Sequence, residues 1–251
     1  RIPSSAASDV YKRQFKELVG LTPFGLVGSD NFKKELSINI IFTVLIFLAS
    51  YYLYVLTGDF LQWTAFGIGV YVICNWIHGL KNRDPVAFLL IFKSKALLLG
   101  LLSFPFITFV TYALGAFGPS FYIRNFSMTA TEVGIIYGLI TVFGSMIGVI
   151  CGGIFGDKLR ETYVNGKLYL IMASAVLTGV TAIGFIHSEN LVASFTWKFV
   201  YHIASTAWLG CAASTVTELV LPRLRAVASA FFILMLSMIG LALGPYLTGM
   251  V

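Results

Sequence analysis

Of the 251 residues, 58% are hydrophobic and only 11% are charged, and the mean hydropathy is +0.87. A water-soluble domain carries about a quarter charged residues, so this composition excludes a soluble globular fold and makes lipid the solvent. The formal charge of +6 is scattered through short polar stretches, which excludes the basic face expected of a nucleic-acid-binding protein.

The chain opens with a segment that stands apart. Ser4 to Gln14 resembles the in-frame translation of a transposon-based sequencing-library adapter, so residues 1–14 are read as a non-native tail and left out of fold reasoning. Residues 15–37 are expected to form a cytoplasmic segment. Apolar runs then follow at Ile38–Leu56, Leu61–Leu80, Ala96–Phe117, Val133–Phe155, Leu168–Ile186, Leu191–Leu219 and Ala226–Val251. Each has roughly the 20 residues that a helix rising ~1.5 Å per residue needs to cross a ~30 Å hydrocarbon layer. The expectation is an all-α membrane protein with about seven transmembrane helices: two in residues 38–80, a cytoplasmic linker over 81–95, and five in 96–251. Tight polar connections such as Thr57-Gly58-Asp59 and His187-Ser188-Glu189-Asn190 make neighbouring helices antiparallel.

Orientation follows from the lysines and arginines, which are retained on the cytoplasmic side near span ends. Alternate loops divide sharply. One set holds Lys16, Lys33 and Lys34, then Lys81, Arg83, Lys93 and Lys95, then Lys158, Arg160 and Lys167, then Arg223 and Arg225; the other holds only Arg124. The first set is predicted cytoplasmic. Cys74, Cys151 and Cys211 each fall in a different apolar run without metal-ligand spacing, and are read as small hydrophobes.

Between the fourth and fifth runs stands Gly152-Gly153-Ile154-Phe155-Gly156-Asp157-Lys158-Leu159-Arg160. It resembles the glycine-glycine-three-Asp-basic loop of the major facilitator superfamily, found between helices two and three and again between eight and nine. Leu221-Pro222-Arg223-Leu224-Arg225 followed by Gly240 to Pro245 is similar to the entry and bend of helix eleven in that superfamily, particularly its spinster-like and organic-anion branches. Phe117-Gly118-Pro119 through Arg124 is similar to the exit of their helix seven. The resemblance covers Ala96 to Val251 and implies a partial major facilitator bundle, helices seven to eleven plus two preceding spans. Those two are either helices five and six or an inserted pair. It further implies a chain lacking an N-terminal half and a twelfth helix.

Several residues are candidates for function. Gly144, Gly148, Gly152 and Gly156 form a small-residue stripe at intervals of four on which a partner helix packs closely. Lys198 and His202 lie four apart on one helical face, with Trp197 and Tyr201 beside them. Ionisable groups at membrane depth usually face a cavity or a partner, which makes Lys198 the candidate contact for an anionic substrate group, unless it snorkels to the headgroups. His202 is either a proton-exchanging group or a neutral hydrogen-bonding one. Thr111 and Tyr112 are the candidates on the third run, which by resemblance lines the cavity. Glu132 is expected to favour a helix start, and Glu218 to pair with Arg223 or Arg225. The resemblance implies gating roles for Gly152, Gly153, Asp157, Lys158, Arg160, Arg223 and Arg225, and a hinge at Gly244-Pro245.

The function so implied is secondary active transport of a small organic solute, possibly anionic, by alternating access coupled to H+ or another ion. The protein is expected in the cell membrane as a multi-pass integral protein whose partners are the bilayer, the solute and the ion, without cofactor or metal. The alternative is a membrane-embedded enzyme or a sensor or structural membrane protein, although no H-E-x-x-H, G-x-S-x-G or paired intramembrane aspartates occur.

Overall fold

The computed structural model describes residues 32–250, apart from the side chains of Arg83, Ala87 and Arg223. The adapter-like tail, the segment up to residue 31 and any role of the Arg223 side chain lie outside the described residues. Everything described is helix or short connection. Two compact units meet in sequence between Lys93 and Ser94.

The first unit is a hairpin of α1 (Phe32–Thr57) and α2 (Phe60–Arg83), followed by the short α3 (Pro85–Lys93). The hairpin turns at Gly58, whose φ of +81° is reached without strain only by a residue lacking Cβ. A polar seam joins its two helices. Asn39 Nδ2 donates to Asn75 Oδ1 at 2.6 Å, Tyr71 donates to Asn39 Oδ1 at 3.0 Å, and Glu35 bonds His78 and, at 2.9 Å, Asn82. In hydrocarbon such groups must satisfy each other. The stretch expected as a linker thus contains the whole of α3 and the last turn of α2.

The second unit comprises α4 (Lys95–Phe126), α5 (Ala130–Thr162), α6 (Gly166–His187), α7 (Leu191–Glu218) and a segmented final span. That span runs as a 3-10 turn (Pro222–Leu224), α8 (Arg225–Met235), a π-helical stretch (Leu236–Ala242) and α9 (Gly244–Gly249). The helix starts are written locally. Ser94 accepts from Leu97 N–H, Asn190 accepts from Val192 N–H, and Thr129 with Glu132 forms a reciprocal capping box, so Glu132 does favour a helix start.

Six of the helical stretches are long and apolar enough to cross a membrane: α1, α2, α4, α5, α6 and the Arg225–Gly249 span. The seventh expected span, α7, has 28 residues, about 42 Å of helix, but carries Lys198, His202 and seven Ser or Thr. Its polarity is tolerated because one face is packed chiefly on α5 and α6 and touches α4 and α8. Ser194, Lys198, Tyr201, His202, Ser205 and Trp208 are all buried there, while Val192, Trp197, Val200 and Leu209 are exposed. A helix whose polar face is covered by protein need not be apolar throughout.

The glycine stripe packs α5 onto α7. A Cβ on Gly144 would lie 2.8 Å from His202 Cβ, and one on Gly148, Gly152 or Gly156 would overlap Thr206, the Ala207 carbonyl or Cys211 Sγ. The motif Gly152–Arg160, expected as a loop, is instead the last turns of α5, and the connection to α6 is only Tyr163-Val164-Asn165. Hydropathy falls after Phe155, but Asp157, Lys158, Arg160 and Glu161 continue the helix beyond the apolar layer. In the final span the π stretch lies against α4. A Cβ on Gly240 would overlap Thr108, and one on Gly244 would sit 2.7 Å from Phe109 O, so the Gly244-Pro245 bend is pressed against its neighbour.

Candidate functional site

The most unusual chemistry in the second unit gathers midway between its α5 and α7. Lys198 is only 1% exposed and His202 6%. The Lys198 Nζ lies 2.7 Å from His202 Nε2 and 3.2 Å from the centre of the Tyr137 ring, on its face. His202 Nε2 is also 3.1 Å from Thr141 Oγ1, whose proton goes to Tyr137 O at 2.8 Å. The Tyr137 hydroxyl donates to Leu114 O on α4 at 3.1 Å, tying the cage to a third helix. Lys198 therefore does not snorkel. Its amine turns inward, and among the described residues no carboxylate forms an ion pair with it.

Of the sequence-derived candidates, Tyr201 belongs to this cage. Its ring lies 5.2 Å from that of His202, and its buried hydroxyl sits beside Thr111 without forming a hydrogen bond. Thr111 instead donates to Ile107 O at 2.9 Å. Tyr112 is not part of it; the side chain is 42% exposed on another face of α4. Trp197 is likewise directed away, 42% exposed and against Gly184. Tyr137 and Thr141 were not expected. Their signal is the glycine stripe, because stepping back from Gly144 and Gly148 at helical spacing reaches 141 and 137 on the same face.

Outward of the cage, Tyr122 stacks on Phe195 at 4.5 Å and shares a hydrogen bond with Ser194, 2.9 Å away, which in turn donates to Phe185 O. This aromatic layer from α4, α6 and α7 closes the site on the side of the Asn190 cap.

At the opposite, basic end a second cluster joins α5, α6 and α7. Lys167, 11% exposed in its side chain, bonds Glu218 at 2.5 Å and lies 3.9 Å from the exposed Asp157 carboxylate; Arg160 reaches Glu218 at 3.5 Å. Glu218 was expected to pair with Arg223 or Arg225. Among the described side chains Lys167 and Arg160 hold it, with Arg225 adding a longer-range attraction, because the short α5–α6 connection brings Lys167 and Arg160 beside the end of α7. Gly152 is buried against α7, whereas Gly153 meets no atom that a Cβ would touch and Lys158 is exposed. No group of three His, Cys, Asp or Glu among the described residues is placed to hold a metal.

No protein-family model matches the chain. Over 146 residues it is 30% identical to an MFS-type efflux pump of Mycolicibacterium smegmatis, covering 58% of this chain and 34% of that protein. Protein spinster of Drosophila melanogaster is 25% identical over 169 residues, covering 62% and 27% respectively. The chain thus spans about a third of the length of these relatives. A bacterial homolog of the human lysosomal transporter spinster, in an inward-facing and occupied conformation, superposes with a TM-score of 0.55 at 26% identity, over 76% of this chain and 41% of that one. The same homolog in an unoccupied conformation gives 0.57 at 24% identity and likewise shares the fold. By sequence and fold together, this integral membrane protein is similar to spinster-like transporters of the major facilitator superfamily.

Proposed function

We propose that the chain is part of a secondary active carrier that moves a small organic solute, with an anionic group, by alternating access. In this reading the Ser94–Met250 unit rocks against a second bundle of the same protein, and Lys198 supplies the positive charge that meets the solute within the membrane. The single observation that carries it is Lys198: a lysine buried within a bundle of membrane helices with no carboxylate partner among the described residues. A purely structural lysine has no need to be there. The likeness to an efflux pump and to spinster proteins supports the same reading.

The test is uptake of a panel of labelled organic carboxylates and organophosphates into vesicles carrying the full-length protein, with and without a pH gradient. The carrier reading expects gradient-driven accumulation of at least one member and its loss in Lys198→Ala. Accumulation that survives Lys198→Ala unchanged eliminates the solute contact, and a protein that accumulates none of the panel while hydrolysing one of them favours an enzyme.

A further inference from the structure

His202 Nε2 has one hydrogen-bonding slot and two polar neighbours, Lys198 Nζ at 2.7 Å and Thr141 Oγ1 at 3.1 Å. The Thr141 hydroxyl commits its only proton to Tyr137 O at 2.8 Å, so toward His202 it offers lone pairs alone. With that proton on Tyr137 O, a hydrogen on Nε2 is the tautomer that both neighbours can meet with a lone pair. An ammonium at Lys198 would then set N–H against N–H at 2.7 Å, whereas an amine presents a lone pair to the same hydrogen. In this tautomer the cage is electrically neutral, with a loaded donor facing an empty acceptor.

We propose that Lys198 and His202 form a one-proton relay that charges Lys198 once for each proton taken up. A proton arriving at His202 Nδ1 releases the Nε2 hydrogen to Lys198 Nζ. The imidazole gains one hydrogen at Nδ1 and loses one at Nε2, so it ends neutral in the other tautomer; the amine becomes an ammonium, and the cage gains one positive charge in all. Nothing in the cage neutralises that charge. Among the described residues, the titratable groups facing it are Tyr137 from α5, Tyr201 from α7 and, beyond Tyr137, Tyr122 from α4; α6 presents the apolar Ala182 and Phe185, against Tyr201. An anionic group on the solute would supply the missing charge, so one proton and one anionic group would be taken up together. Thr141 sets the resting tautomer and is a positioning residue for the relay.

The relay rests on the carrier reading for its purpose, but its test does not require a known solute. Full-length protein labelled with 15N-histidine is placed in lipid nanodiscs, and 15N spectra are followed as the pH is lowered; the difference from His202→Gln assigns the His202 signals. The expected result is a tautomer exchange, in which Nε2 passes from a hydrogen-bearing to a lone-pair nitrogen while Nδ1 gains hydrogen, and which is absent in Lys198→Met. Three results overturn the proposal: His202 signals that stay fixed, an imidazolium with hydrogen on both nitrogens, or an exchange that persists in Lys198→Met. Once His202→Gln has assigned the signals, wild type decides the first two, so failure of Lys198→Met to fold leaves them intact. Solute uptake without the exchange sinks the relay alone, and exchange in a protein that carries no solute sinks the carrier reading alone.

Discussion

Two adjacent glycines should respond unequally to the same methyl group. An ideal Cβ on Gly152 overlaps the Ala207 carbonyl oxygen and lies 2.6 Å from both Ala207 C and Cα, whereas one on Gly153 meets nothing within 4 Å. Carbon atoms rest at about 3.5 Å or more, so Gly152→Ala forces α5 and α7 roughly 1 Å apart. Backbone cannot swing aside as a flexible side chain would. Gly148 and Gly156 press on the same helix, so the separation spreads along the stripe, and overpacking of this kind costs ~1–3 kcal/mol. Gly153→Ala should change stability by less than ~0.5 kcal/mol, since the segment remains helical in the membrane even when the bundle comes apart and the propensity gain largely cancels. In thermal unfolding in one lipid, at ~2–4 °C per kcal/mol for a chain of this size, Gly152→Ala should fall by ~2–12 °C and Gly153→Ala should match wild type. Equal melting of the two variants would refute the claim that this stripe is the α5–α7 contact.

Other consequences follow from the polar contacts. Glu218→Gln removes the carboxylate that holds Lys167 and Arg160; because its side chain is 40% exposed, the loss should be only about 1 kcal/mol in thermal unfolding and should shrink as salt is raised. Ser194→Ala leaves the buried Tyr122 hydroxyl and the Phe185 carbonyl without their partner, so it should cost ~1–3 kcal/mol, more than Tyr122→Phe, which removes only a donor to Ser194. Single thiols at Lys158 and Arg225 should label from the same face of the cell and a thiol at Arg124 from the other; Lys158 and Arg225 on opposite faces would overturn the expected up-and-down array.

The spans were legible because lipid imposes a length and a composition on whatever crosses it, and Gly144 to Gly156 declared a close helix contact by spacing alone. The pairing of Lys198 with His202 was legible for a similar reason, four residues being one helical turn. What the sequence concealed is the other side of each contact. Tyr137 and Thr141 lie some sixty positions before His202, and no local pattern says that α5 delivers them to its ring. Asp157 to Arg160 carries no hydropathy, so the end of α5 was misplaced by two turns where the helix leaves the apolar layer. α7 defeats hydropathy in the opposite sense, since Lys198, His202 and its hydroxyls make it polar for the very reason that it is enclosed. Glu35, Asn39, Asn75 and His78 escaped notice because each is unremarkable alone and meaningful only across the hairpin.

The account stands or falls on whether position 198 is reached by water from each side of the membrane in turn. In full-length protein lacking Cys74, Cys151 and Cys211 and carrying Lys198→Cys, a membrane-impermeant maleimide is applied to one face of sealed vesicles at a time. Labelling from either face, with reaction at one face blocking reaction at the other, is the predicted result; a thiol that reacts from neither face under any condition would contradict it.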